Sequence, residues 1–560
     1  MSDAMFEILS LSARYVMLGF VALGIFLLLR GMLRERKMEG NRQPNEAWLR
    51  LPYVDEDGED QDEIYDLGKE NLLGRDEDCD VVLAGRGVSA EHARLWRKGG
   101  RWRVEDLDSR NGTFVDGVRI HKSSPVRDGQ VIKIGDTSLI FELDMPERGR
   151  VPGMGMVITL AVMLLAVGYA VLALHSETLD VTGIVVGASV ALLLVFQYVI
   201  IRAFFPGMDR PLMAIYALLI AIGFIAQYRL GSAMALKQLQ WYAIGMVAMV
   251  LGLVLIRNFD CWKNIKMLWL YLPAGLALLA LTLIFGKEQY GSKNWVYIGG
   301  VSFQPSELVK LLLVLALAAG MKDRKKWGPI IAVGCFTAGA MVILLVQKDL
   351  GSMLLYFLTF ICTFYVATSN WLLTLAGLGA GSLGAVASYY LFGHVRVRVA
   401  IWQNPWVDVE VSGYQMVQSL TAIASGGLLG LGLYMGSPKS IPAYRTDFIF
   451  AAICEEMGLL MGLMIILLFG LLIYRGIKIT LRCQDRFLSL LSFGSTAMLA
   501  WQSFIIIGGV VKMIPLTGIT LPFISYGGNS MLANMGFIGI LQAVAIRCDE
   551  DERWGVKPAA

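Results

Sequence analysis

The residue whose chemistry stands out in this sequence is Asp447, which directly precedes an apolar stretch that begins at Phe448. A carboxylate at the mouth of a membrane segment can accept a proton from a substrate that is carried on a lipid. Arg396 and Arg398 precede Asp447 in the same gap between apolar stretches, and Lys348 lies at the end of another stretch. Cations placed in this way can stabilise a departing anion. The sequence therefore indicates proton and anion chemistry at a membrane surface.

Two alternatives to a catalytic Asp447 are open in the sequence. Thr446 and Asp447 stand where a helix begins, and side-chain oxygens at such positions satisfy free backbone amides. A full capping box would need Glu or Gln three residues after Thr446, and neither is present there. Asp349 is the second alternative, because it also lies just outside an apolar stretch. Its other role would be to orient Lys348 or a lipid headgroup.

Four more ionisable residues lie in or beside apolar stretches. Glu455 and Glu456 would lie about 12 Å along the helix from Asp447, at a rise of about 1.5 Å per residue. Ionisable groups at that depth are costly and usually face the protein interior. They would tune the proton affinity of Asp447, face substrate in a hydrophilic cavity, or serve as neutral structural carboxyls. Glu307 and Lys310 have the spacing of an ion pair on one helix face, which favours a structural role.

The composition places these groups in a membrane protein. The chain has 560 residues, of which 56% are hydrophobic and 17% are charged, and its mean hydropathy is +0.58. These values are typical of a chain with many membrane spans. A net charge of +3 is too small to indicate a nucleic-acid partner. The seven cysteines are scattered without a CxxC pair, which predicts reduced packing residues, neither disulfides nor metal ligands.

The apolar stretches predict about thirteen membrane spans. The first, at about residues 15–29, is followed by Arg30, Arg34, Arg36 and Lys37, which places the N-terminus outside by the positive-inside rule. A cleaved signal peptide is the alternative, but its positive charge would precede the apolar run. Twelve later stretches are long enough to cross about 30 Å of hydrocarbon. They lie near residues 154–174, 180–202, 211–228, 238–256, 267–285, 306–321, 328–346, 351–367, 372–391, 448–473, 487–509 and 531–546.

The orientation depends on the Gly-rich segment 416–435. If this segment does not cross the membrane, the basic clusters that follow the other spans all lie on the cytoplasmic side. We therefore predict that it is re-entrant or interfacial, since irregular backbone is tolerated where protein buries it. Residues 392–447 then form one extracytoplasmic loop, and the C-terminal tail 548–560 is cytoplasmic. The clusters are Arg202 and Arg210; Arg257, Lys263 and Lys266; Lys322, Arg324, Lys325 and Lys326; Arg475, Lys478, Arg482 and Arg486; and Arg547.

A polar insert separates the N-terminal anchor, residues 1–37, from the later spans. Its acidic run from Asp55 to Glu63 predicts a flexible linker over residues 38–62. From residue 63 to 145, short segments joined by tight turns such as Lys98-Gly-Gly indicate strands that pack as a small β-sandwich. The predicted fold is thus a mostly α-helical, polytopic membrane protein with a cytoplasmic β-sandwich inserted after the first span.

The loops of this insert carry three motifs in order, Gly74-Arg75, Ser89-Ala-Glu-His92 and Asn111-Gly112-Thr113. By these motifs and their spacing the insert resembles the forkhead-associated (FHA) domain. The resemblance implies a phosphothreonine site in which Arg75 and Ser89 bind the phosphate, Asn111 holds the ligand backbone and His92 braces the loop. A planar guanidinium and a hydroxyl donor suit a phosphate dianion. Taken singly, each of these residues could instead be an ordinary turn residue. Glu91 stands where many relatives carry a basic residue, which leaves the peptide preference open.

A series of motifs lies between residues 291 and 530 of the chain. They are Gly291-Ser-Lys-Asn-Trp295-Val-Tyr-Ile-Gly; Gln304-Pro-Ser-Glu307-Leu-Val-Lys310; Gln347-Lys-Asp349-Leu-Gly351; Arg396 and Arg398; Gly413-Tyr-Gln415; Ser425-Gly-Gly427; Thr446-Asp447-Phe448 with Glu455-Glu456; and Pro515 to Ser530. By these motifs the sequence from residue 211 to 547 resembles the SEDS family of cell-wall proteins, which includes FtsW, RodA and SpoVE. Trp295 lies in one of the shared motifs and would contact substrate or a partner, or else anchor at the membrane interface. The loop at residues 522–527 would be rigid and chiefly structural.

This resemblance implies a ten-helix polymerase of the bacterial cell membrane that joins lipid II units into glycan strands in division, elongation or sporulation. Asp447 would be the catalytic base, and Arg396, Arg398 and Lys348 would bind substrate. Inversion by single displacement is implied, because an α-linked donor becomes a β-linked product. Two other functions are open, a lipid II transporter and an inactive assembly scaffold.

The implied partners are lipid II, membrane lipid, a transpeptidase of the class B penicillin-binding type and a Thr-phosphorylated protein bound by the FHA domain. Two additional helices, at residues 154–205, would couple the two parts of the chain. No cluster with metal-ligand spacing is present in the sequence, so dependence on a divalent cation is left open.

Overall fold

The chain forms two compact units, one made of residues 1–32 with 151–548 and the other of residues 33–150 with 549–560. Three features of the sequence lie outside the described residues: Gly291, the acidic residues 55–59 and the turn glycines 99 and 100. The computed structural model describes residues 3–40, 47–54, 60–68, 70–98, 101–120, 122–143, 154–175, 179–289, 292–298 and 301–554.

The smaller unit is a sandwich of two β-sheets. One sheet has the strand order β2-β1-β11-β10-β7-β8 and the other β4-β3-β5-β6-β9. Alternate side chains point inward and form one apolar core, which includes Leu95, Trp102, Ile132 and Phe141. The strands are β1 (Ala47–Val54), β2 (Asp60–Leu67), β3 (Glu70–Gly74), β4 (Val81–Val82), β5 (Ala93–Lys98), β6 (Arg101–Asp106), β7 (Thr113–Val115), β8 (Val118–Arg119), β9 (Ser123–Val126), β10 (Val131–Ile134) and β11 (Thr137–Leu143).

The sandwich includes strands that the sequence assigns to a linker ending at residue 62. β1 pairs with β11 on one side and with β2 on the other. Ala47 and Leu49 are buried between the sheets, which explains why β1 joins the sandwich. Asp62 and Glu63 of β2 are exposed. An acidic segment can therefore form the edge strand, because its charges remain in solvent.

The larger unit is helical. Among the described residues, twelve helices are long and apolar enough to cross a membrane. The thirteenth predicted span corresponds to α7, whose 17 residues are at the short end of the range for a spanning helix. The helices are α1 (Asp3–Gly40), α2 (Met154–Leu174), α3 (Val181–Phe204), α4 (Arg210–Leu230), α5 (Ser232–Asn258), α6 (Ile265–Phe285), α7 (Pro305–Met321), α8 (Trp327–Val346), α9 (Leu350–Thr368), α10 (Trp371–Leu391), α11 (Gly393–Gln403), α12 (Tyr414–Gly426), α13 (Ile449–Arg482), α14 (Arg486–Val510) and α15 (Gly528–Trp554).

Helix α4 lies at the centre of the larger unit, and all its residues from Pro211 to Leu230 are buried. Asp209 caps its N-terminus by accepting a hydrogen bond from the backbone of Leu212. Asp209 also accepts a 3.0 Å hydrogen bond from Nε of Arg475 on α13, and both side chains are buried. This ion pair fixes one end of α4 against α13, the helix that follows Asp447.

The Gly-rich segment 416–435 is a short helix followed by a loop. α12 has 13 residues, about 20 Å of helix, which is less than the thickness of a hydrocarbon core. The loop packs against α13 where that helix is broken at Gly458, whose φ is +87°. The break frees backbone groups, and the amide of Leu459 donates to the carbonyl of Gly427 at 2.9 Å. Protein contacts thus satisfy the irregular backbone of both segments.

One cysteine pair differs from the sequence prediction. Cys483 at the end of α13 and Cys548 in α15 form a disulfide, with their Cα atoms 5.5 Å apart. The prediction that all seven cysteines are reduced is therefore wrong for these two. They lie 65 residues apart in the sequence, so only the packing of α13 near α15 brings them together. Cys79, Cys261, Cys335, Cys362 and Cys454 are free thiols.

Three short strands form a hairpin-like sheet between α6 and α7, with the order β12-β13-β14. Ser292 Oγ and the amide of Lys293 in β13 both donate to the carbonyl of Gln347. The sheet is thereby attached to the turn that holds Lys348 and Asp349. The strands are β12 (Lys287–Gln289), β13 (Ser292–Ile298) and β14 (Val301–Phe303).

Candidate active site and phosphopeptide site

Asp447 lies in the loop between α12 and α13, and it does not cap the helix that follows. The N-cap position of α13 is Phe448, and no side chain caps this helix. The loop between α14 and α15 holds Asp447 instead. Ser525 Oγ of that loop donates a 2.6 Å hydrogen bond to the carbonyl of Thr446. Gly518 of the same loop has φ +77°, and a Cβ atom there would lie 3.4 Å from Asp447 Oδ2.

The environment of Asp447 suits proton transfer near neutral pH. Its side chain is half-buried, and burial raises the pKa of the carboxyl from 3.8 to about 6 because it disfavours the charged form. A hydrogen bond from Thr446 and the positive charge of Arg398 lower the pKa, but less strongly. A base is most effective when its pKa is close to the working pH. The carboxyl can therefore accept a proton at neutral pH and release it readily.

Arg398 is the cation that the structure brings to this carboxyl. Its Nη1 donates a 2.8 Å hydrogen bond to the carbonyl of Leu516, in the loop that also contacts Asp447. Asp447 and Asp349 both raise the pKa of Arg398, although burial lowers it more strongly. Arg396 is exposed, because residues two apart on a helix point about 200° away from each other. The structure thus places Arg398, and not Arg396, beside the two carboxylates.

Asp349 is held by local hydrogen bonds. It caps α9 by accepting a 3.0 Å hydrogen bond from the amide of Ser352, and Ser352 Oγ donates to it at 2.9 Å. Asn294 Nδ2 of β13 donates to the same carboxyl at 3.0 Å. Lys348 Nζ lies 3.6 Å from Glu288 Oε1 and is half-exposed. Asp349 is therefore engaged as a buried cap, and the partner of Lys348 is Glu288.

Trp295 lies in β13, opposite Lys287 of β12, and is half-buried. The neighbouring Asn294 points inward to Asp349. Successive side chains of a strand point to opposite faces, so Trp295 is on the other face of this small sheet. No described hydrogen bond joins its indole to the carboxylates.

Glu307 and Lys310 form the predicted ion pair, but inside the protein. Lys310 Nζ lies 2.8 Å from both oxygens of Glu307, and its side chain is fully buried. Lys310 Nζ also donates to Gln502 Oε1 of α14 at 3.3 Å, and Gln502 Nε2 donates to the carbonyl of Thr520 at 2.9 Å. This network joins α7 and α14 to the loop that holds Gly518 and Ser525. Thr520 lies within the motif from Pro515 to Ser530, whereas nothing in the sequence distinguishes Gln502, because a polar uncharged residue gives little signal.

Glu455 and Glu456 hold the segment that precedes Asp447. Glu456 Oε1 lies 2.6 Å from Arg229 Nη2 of α4, and both side chains are buried. Glu455 Oε1 accepts a 2.8 Å hydrogen bond from the amide of Ser437, whereas its buried Oε2 has no hydrogen-bond partner among the described residues. Arg229 was missed by sequence analysis, although an arginine within an apolar span is itself a signal of a buried partner.

Possible metal ligands do not cluster in the described part of the chain. No group of three or more His, Cys, Asp or Glu side chains has a geometry that could hold a metal ion there. Asp349 and Asp447 are two carboxylates of the candidate site, and both act on Arg398.

The β-sandwich brings the predicted phosphothreonine-binding residues to one set of loops. The amide of Arg75 donates to the carbonyl of Ser89 at 2.9 Å, which joins the first two loops. Ser89 Oγ accepts a hydrogen bond from the amide of Arg110 at 3.2 Å. Asn111 Nδ2 donates to the carbonyl of Gly87 at 2.7 Å. Arg75 and Asn111 are exposed and available to a ligand.

His92 braces these loops from below. It is fully buried, its Nδ1 accepts a 3.0 Å hydrogen bond from the amide of Ser89, and its Nε2 lies 3.4 Å from the carbonyl of Gly112. These contacts fit a neutral ring that carries its proton on Nε2. Burial lowers the pKa of His92, in agreement with the neutral form.

Comparisons with known proteins match both units. The FtsW/RodA/SpoVE profile, described as a cell cycle protein, matches residues 210–549, and the FHA domain profile matches residues 71–135. The peptidoglycan glycosyltransferase RodA of Mycobacterium tuberculosis is 34% identical over 377 residues, which cover 62% of this chain and 79% of that protein. The stage V sporulation protein E of Bacillus subtilis is 35% identical over 359 residues, which cover 60% of this chain and 96% of that protein.

A solved structure is also similar. It is a chain of a peptidoglycan synthase complex, from a structure that concerns the coordination of polymerization and crosslinking. The likeness has a TM-score of 0.52 at 28% sequence identity, and it covers 61% of this chain and 99% of the other. The residues matched by the family profile span Asp447, Arg398 and the elements that hold them. The protein is a polytopic membrane protein with an FHA domain, and its chain belongs to the FtsW/RodA/SpoVE family.

Proposed function

We propose that this protein is a peptidoglycan glycosyltransferase that polymerises lipid II into glycan strands. The observation that carries the proposal is a carboxyl, Asp447, with a pKa of about 6, which lies next to the half-buried cation Arg398 and just before the membrane helix α13. Relatives named as peptidoglycan glycosyltransferases share most of this membrane unit. Base, cation and membrane position are what transfer of a sugar from a lipid diphosphate needs.

The reaction would proceed by a single displacement. Asp447 would take the proton from the attacking sugar hydroxyl as its oxygen bonds to the anomeric carbon of the donor. The bond from that carbon to the diphosphate would break, and the diphosphate would leave with the electron pair, still attached to its lipid. Arg398 would stabilise the negative charge of this leaving group. Attack from the face opposite the leaving group inverts the configuration at the anomeric carbon.

The other candidate substrate contacts are less direct. Lys348 and Arg396 are at least half-exposed, so they would meet the diphosphate or the sugars of an incoming chain outside the buried site. Trp295 would contact a sugar face or a partner from its position in β13. Glu455 would contact substrate through its Oε2, which has no hydrogen-bond partner among the described residues. Asp349 would hold Asn294 and Arg398 in place.

A lipid II transporter is the second candidate, because α13 is broken at Gly458 beside the buried Glu456 and Arg229. Broken helices with buried charges are common in transporters. The two functions separate in detergent, where there is no bilayer to cross. We expect the purified full chain to convert labelled lipid II into polymer visible on a gel. Failure to form polymer under conditions in which a known polymerase is active would favour the transporter.

We further propose that Asp447 lies on the extracytoplasmic side, with the N-terminus outside and both the FHA domain and the C-terminus in the cytoplasm. The positions of the basic clusters support this orientation. The test is a Ser412→Cys variant, since Ser412 is half-exposed and lies, like Asp447, within residues 392–447, which are predicted to form one extracytoplasmic loop. A membrane-impermeant thiol reagent should label it in intact cells. Labelling only after the cells are permeabilised would contradict the orientation.

The FHA domain would regulate or recruit the enzyme by binding a Thr-phosphorylated protein. Arg75 and Ser89 would bind the phosphate and Asn111 the peptide backbone, which agrees with their shared position on the loops. A class B penicillin-binding transpeptidase is the second proposed partner, and the similarity to a chain of a peptidoglycan synthase complex supports it. Peptide binding to the purified chain should require phosphothreonine and be lost in Arg75→Ala. Equal binding of the unphosphorylated peptide would contradict this role.

A further inference from the structure

Two of the helices that precede the family-matched residues, α1 and α2, lead to contacts with one loop of the membrane unit. α1, α2 and α3 all end before residue 210, where the family match begins. The loop is Gly427 to Ser437, which follows α12, and we call it the bracket loop. Its glycines at 427, 430 and 432 have positive φ values, so its course is one that other residues adopt with strain.

Two polar side chains of α1 bind the bracket loop. Ser10 is fully buried, and its Oγ donates a 2.8 Å hydrogen bond to the carbonyl of Leu433. Arg14, one helical turn later, donates to the carbonyl of Gly430. Gly432 lies between these two contacts, and a Cβ atom there would lie 2.8 Å from Ser10 Oγ. α1 and the loop are therefore packed as closely as the backbone permits.

Aromatic contacts add a second attachment. The ring of Tyr434 stacks on His175, at the end of α2, with centroids 3.6 Å apart and planes 16° apart. Phe6 of α1 contacts His175 at 4.6 Å. The guanidinium of Arg229 lies 4.0 Å from the centroid of the Tyr434 ring. Tyr434 thus joins α1 and the end of α2 to the buried Arg229 of α4.

The bracket loop in turn holds the first turns of α13. The amide of Tyr434 donates to Glu456 Oε1 at 3.2 Å, and the amide of Ser437 donates to Glu455 Oε1 at 2.8 Å. Two further amides of the loop donate to the backbone carbonyls of Glu455 and Glu456, at 2.9 and 2.8 Å. These carboxylates lie on the helix that begins two residues after Asp447. A continuous set of contacts therefore runs from α1 to Glu455 and Glu456, and the first turns of α13 connect these two residues to the candidate base.

We propose that Ser10 and Arg14 are positioning residues for the glycosyl-transfer site, acting on Asp447 through the bracket loop and Glu455–Glu456. The inference rests on the proposed function, and it assigns a catalytic contribution to a helix outside the family-matched residues. α1 also directly precedes the FHA domain in the chain. A displacement of α1 would thus reach the site through these two side chains.

The test compares two serines of α1 in the full chain, reconstituted in lipid nanodiscs. Ser10→Ala removes the buried bond. Ser12→Ala is the matched control, because Ser12 is in the same helix and, among the described residues, its Oγ bonds only to the carbonyl of Ile8 in its own helix. We expect Ser10→Ala to lower kcat about fivefold with KM unchanged, as for the loss of one buried hydrogen bond that orients the base. Ser12→Ala should match the wild type.

Arg14 supplies an independent pair of variants. Arg14→Gln should lower kcat by a similar factor, and Arg14→Lys should restore most of it, because the ammonium can still donate to the carbonyl of Gly430. Hydrogen exchange of the bracket-loop amides is the second readout. It should be faster in Ser10→Ala and Arg14→Gln than in Ser12→Ala, since the loop is then less firmly held.

Equal kcat in Ser10→Ala and Ser12→Ala would overturn the inference, and so would a lower kcat with unchanged exchange in the bracket loop. Failure of the proposed function is distinguishable, because the wild type would then form no polymer. In that case faster bracket-loop exchange in Ser10→Ala would still support the contact between α1 and the loop, and unchanged exchange would overturn it.

Discussion

The raised pKa of Asp447 predicts the pH dependence of the reaction. A base must be deprotonated to accept a proton, so the rate should rise with pH and level off above the pKa. With a pKa of about 6, about nine-tenths of the carboxyl is deprotonated at about pH 7 and about one-tenth at about pH 5. We therefore expect polymerisation to be about tenfold slower at about pH 5 than at about pH 7. An aspartate with an ordinary pKa would lose only about a twentieth of its rate over the same interval.

Arg398 should determine the pH at which the rate falls. Its positive charge lowers the pKa of Asp447, so Arg398→Gln should move the acid limb to higher pH by about one unit. Arg396→Gln is the matched control, since it removes the same charge two residues away at an exposed position. The acid limb should remain near pH 6 in this variant, whatever happens to substrate affinity.

The assay is the initial rate of polymerisation of labelled lipid II by the purified full chain, at saturating substrate, between about pH 4.5 and 8.5. Circular dichroism at each pH shows whether the protein remains folded. A flat profile between about pH 5 and 7 would refute the assignment of Asp447 as a base with a raised pKa. A shift of the limb to lower pH in Arg398→Gln would refute the electrostatic role of the arginine.

Three further predictions concern packing and the FHA domain. Gly518→Ala should lower kcat, because a residue with a Cβ atom is strained by about 1–2 kcal/mol at a φ of +77°. Gly470→Ala should leave kcat unchanged, because there is open space around Gly470. Arg229→Gln should cost about 3–5 kcal/mol of stability, because it leaves the Glu456 carboxylate buried without its ion-pair partner. Thermal unfolding in detergent can compare this variant with the double variant Arg229→Gln/Glu456→Gln. If the single variant lost less stability than the double variant, the prediction would be contradicted. Burial lowers the pKa of His92 in the folded FHA domain, so below about pH 6.5 the unfolded domain binds more protons than the folded one. The free energy of unfolding should therefore fall as the pH drops through that range. Urea titrations of the wild type and of His92→Gln can check this.

Much of the fold follows from sequence because spans and strands have strong periodic signals. Apolar length marks the helices, and the order of the loop motifs marks the sandwich. For segment 416–435 the basic residues of later loops favour a non-spanning segment, and this stays a prediction; the structure adds that its helix α12 has 13 residues. The edge strand Asp60–Leu67 could not be predicted, because an acidic segment is tolerated in a sheet only when a neighbour such as β1 is in place.

The site was predictable in its charged residues and less so in their arrangement. Asp447 and Arg398 could be identified from type and motif, but the sequence gives Arg396 and Arg398 equal weight. Only the structure of α11 distinguishes the two arginines, because it places them on different sides of the helix. The capping alternative for Asp447 fails because the helix begins one residue later than the sequence suggests. Contacts between distant segments, such as Arg229 with Glu456 and Cys483 with Cys548, depend on tertiary packing and leave no local pattern.

The most direct test of the central claim is polymerisation of lipid II by the purified Asp447→Ala protein. Asp408→Ala is the matched control, because Asp408 is an exposed carboxylate in the same part of the chain between α10 and α13. We predict that Asp447→Ala forms no detectable polymer while remaining folded and that Asp408→Ala polymerises like the wild type. Polymer formed at the wild-type rate by Asp447→Ala would contradict the assignment of this residue as the catalytic base.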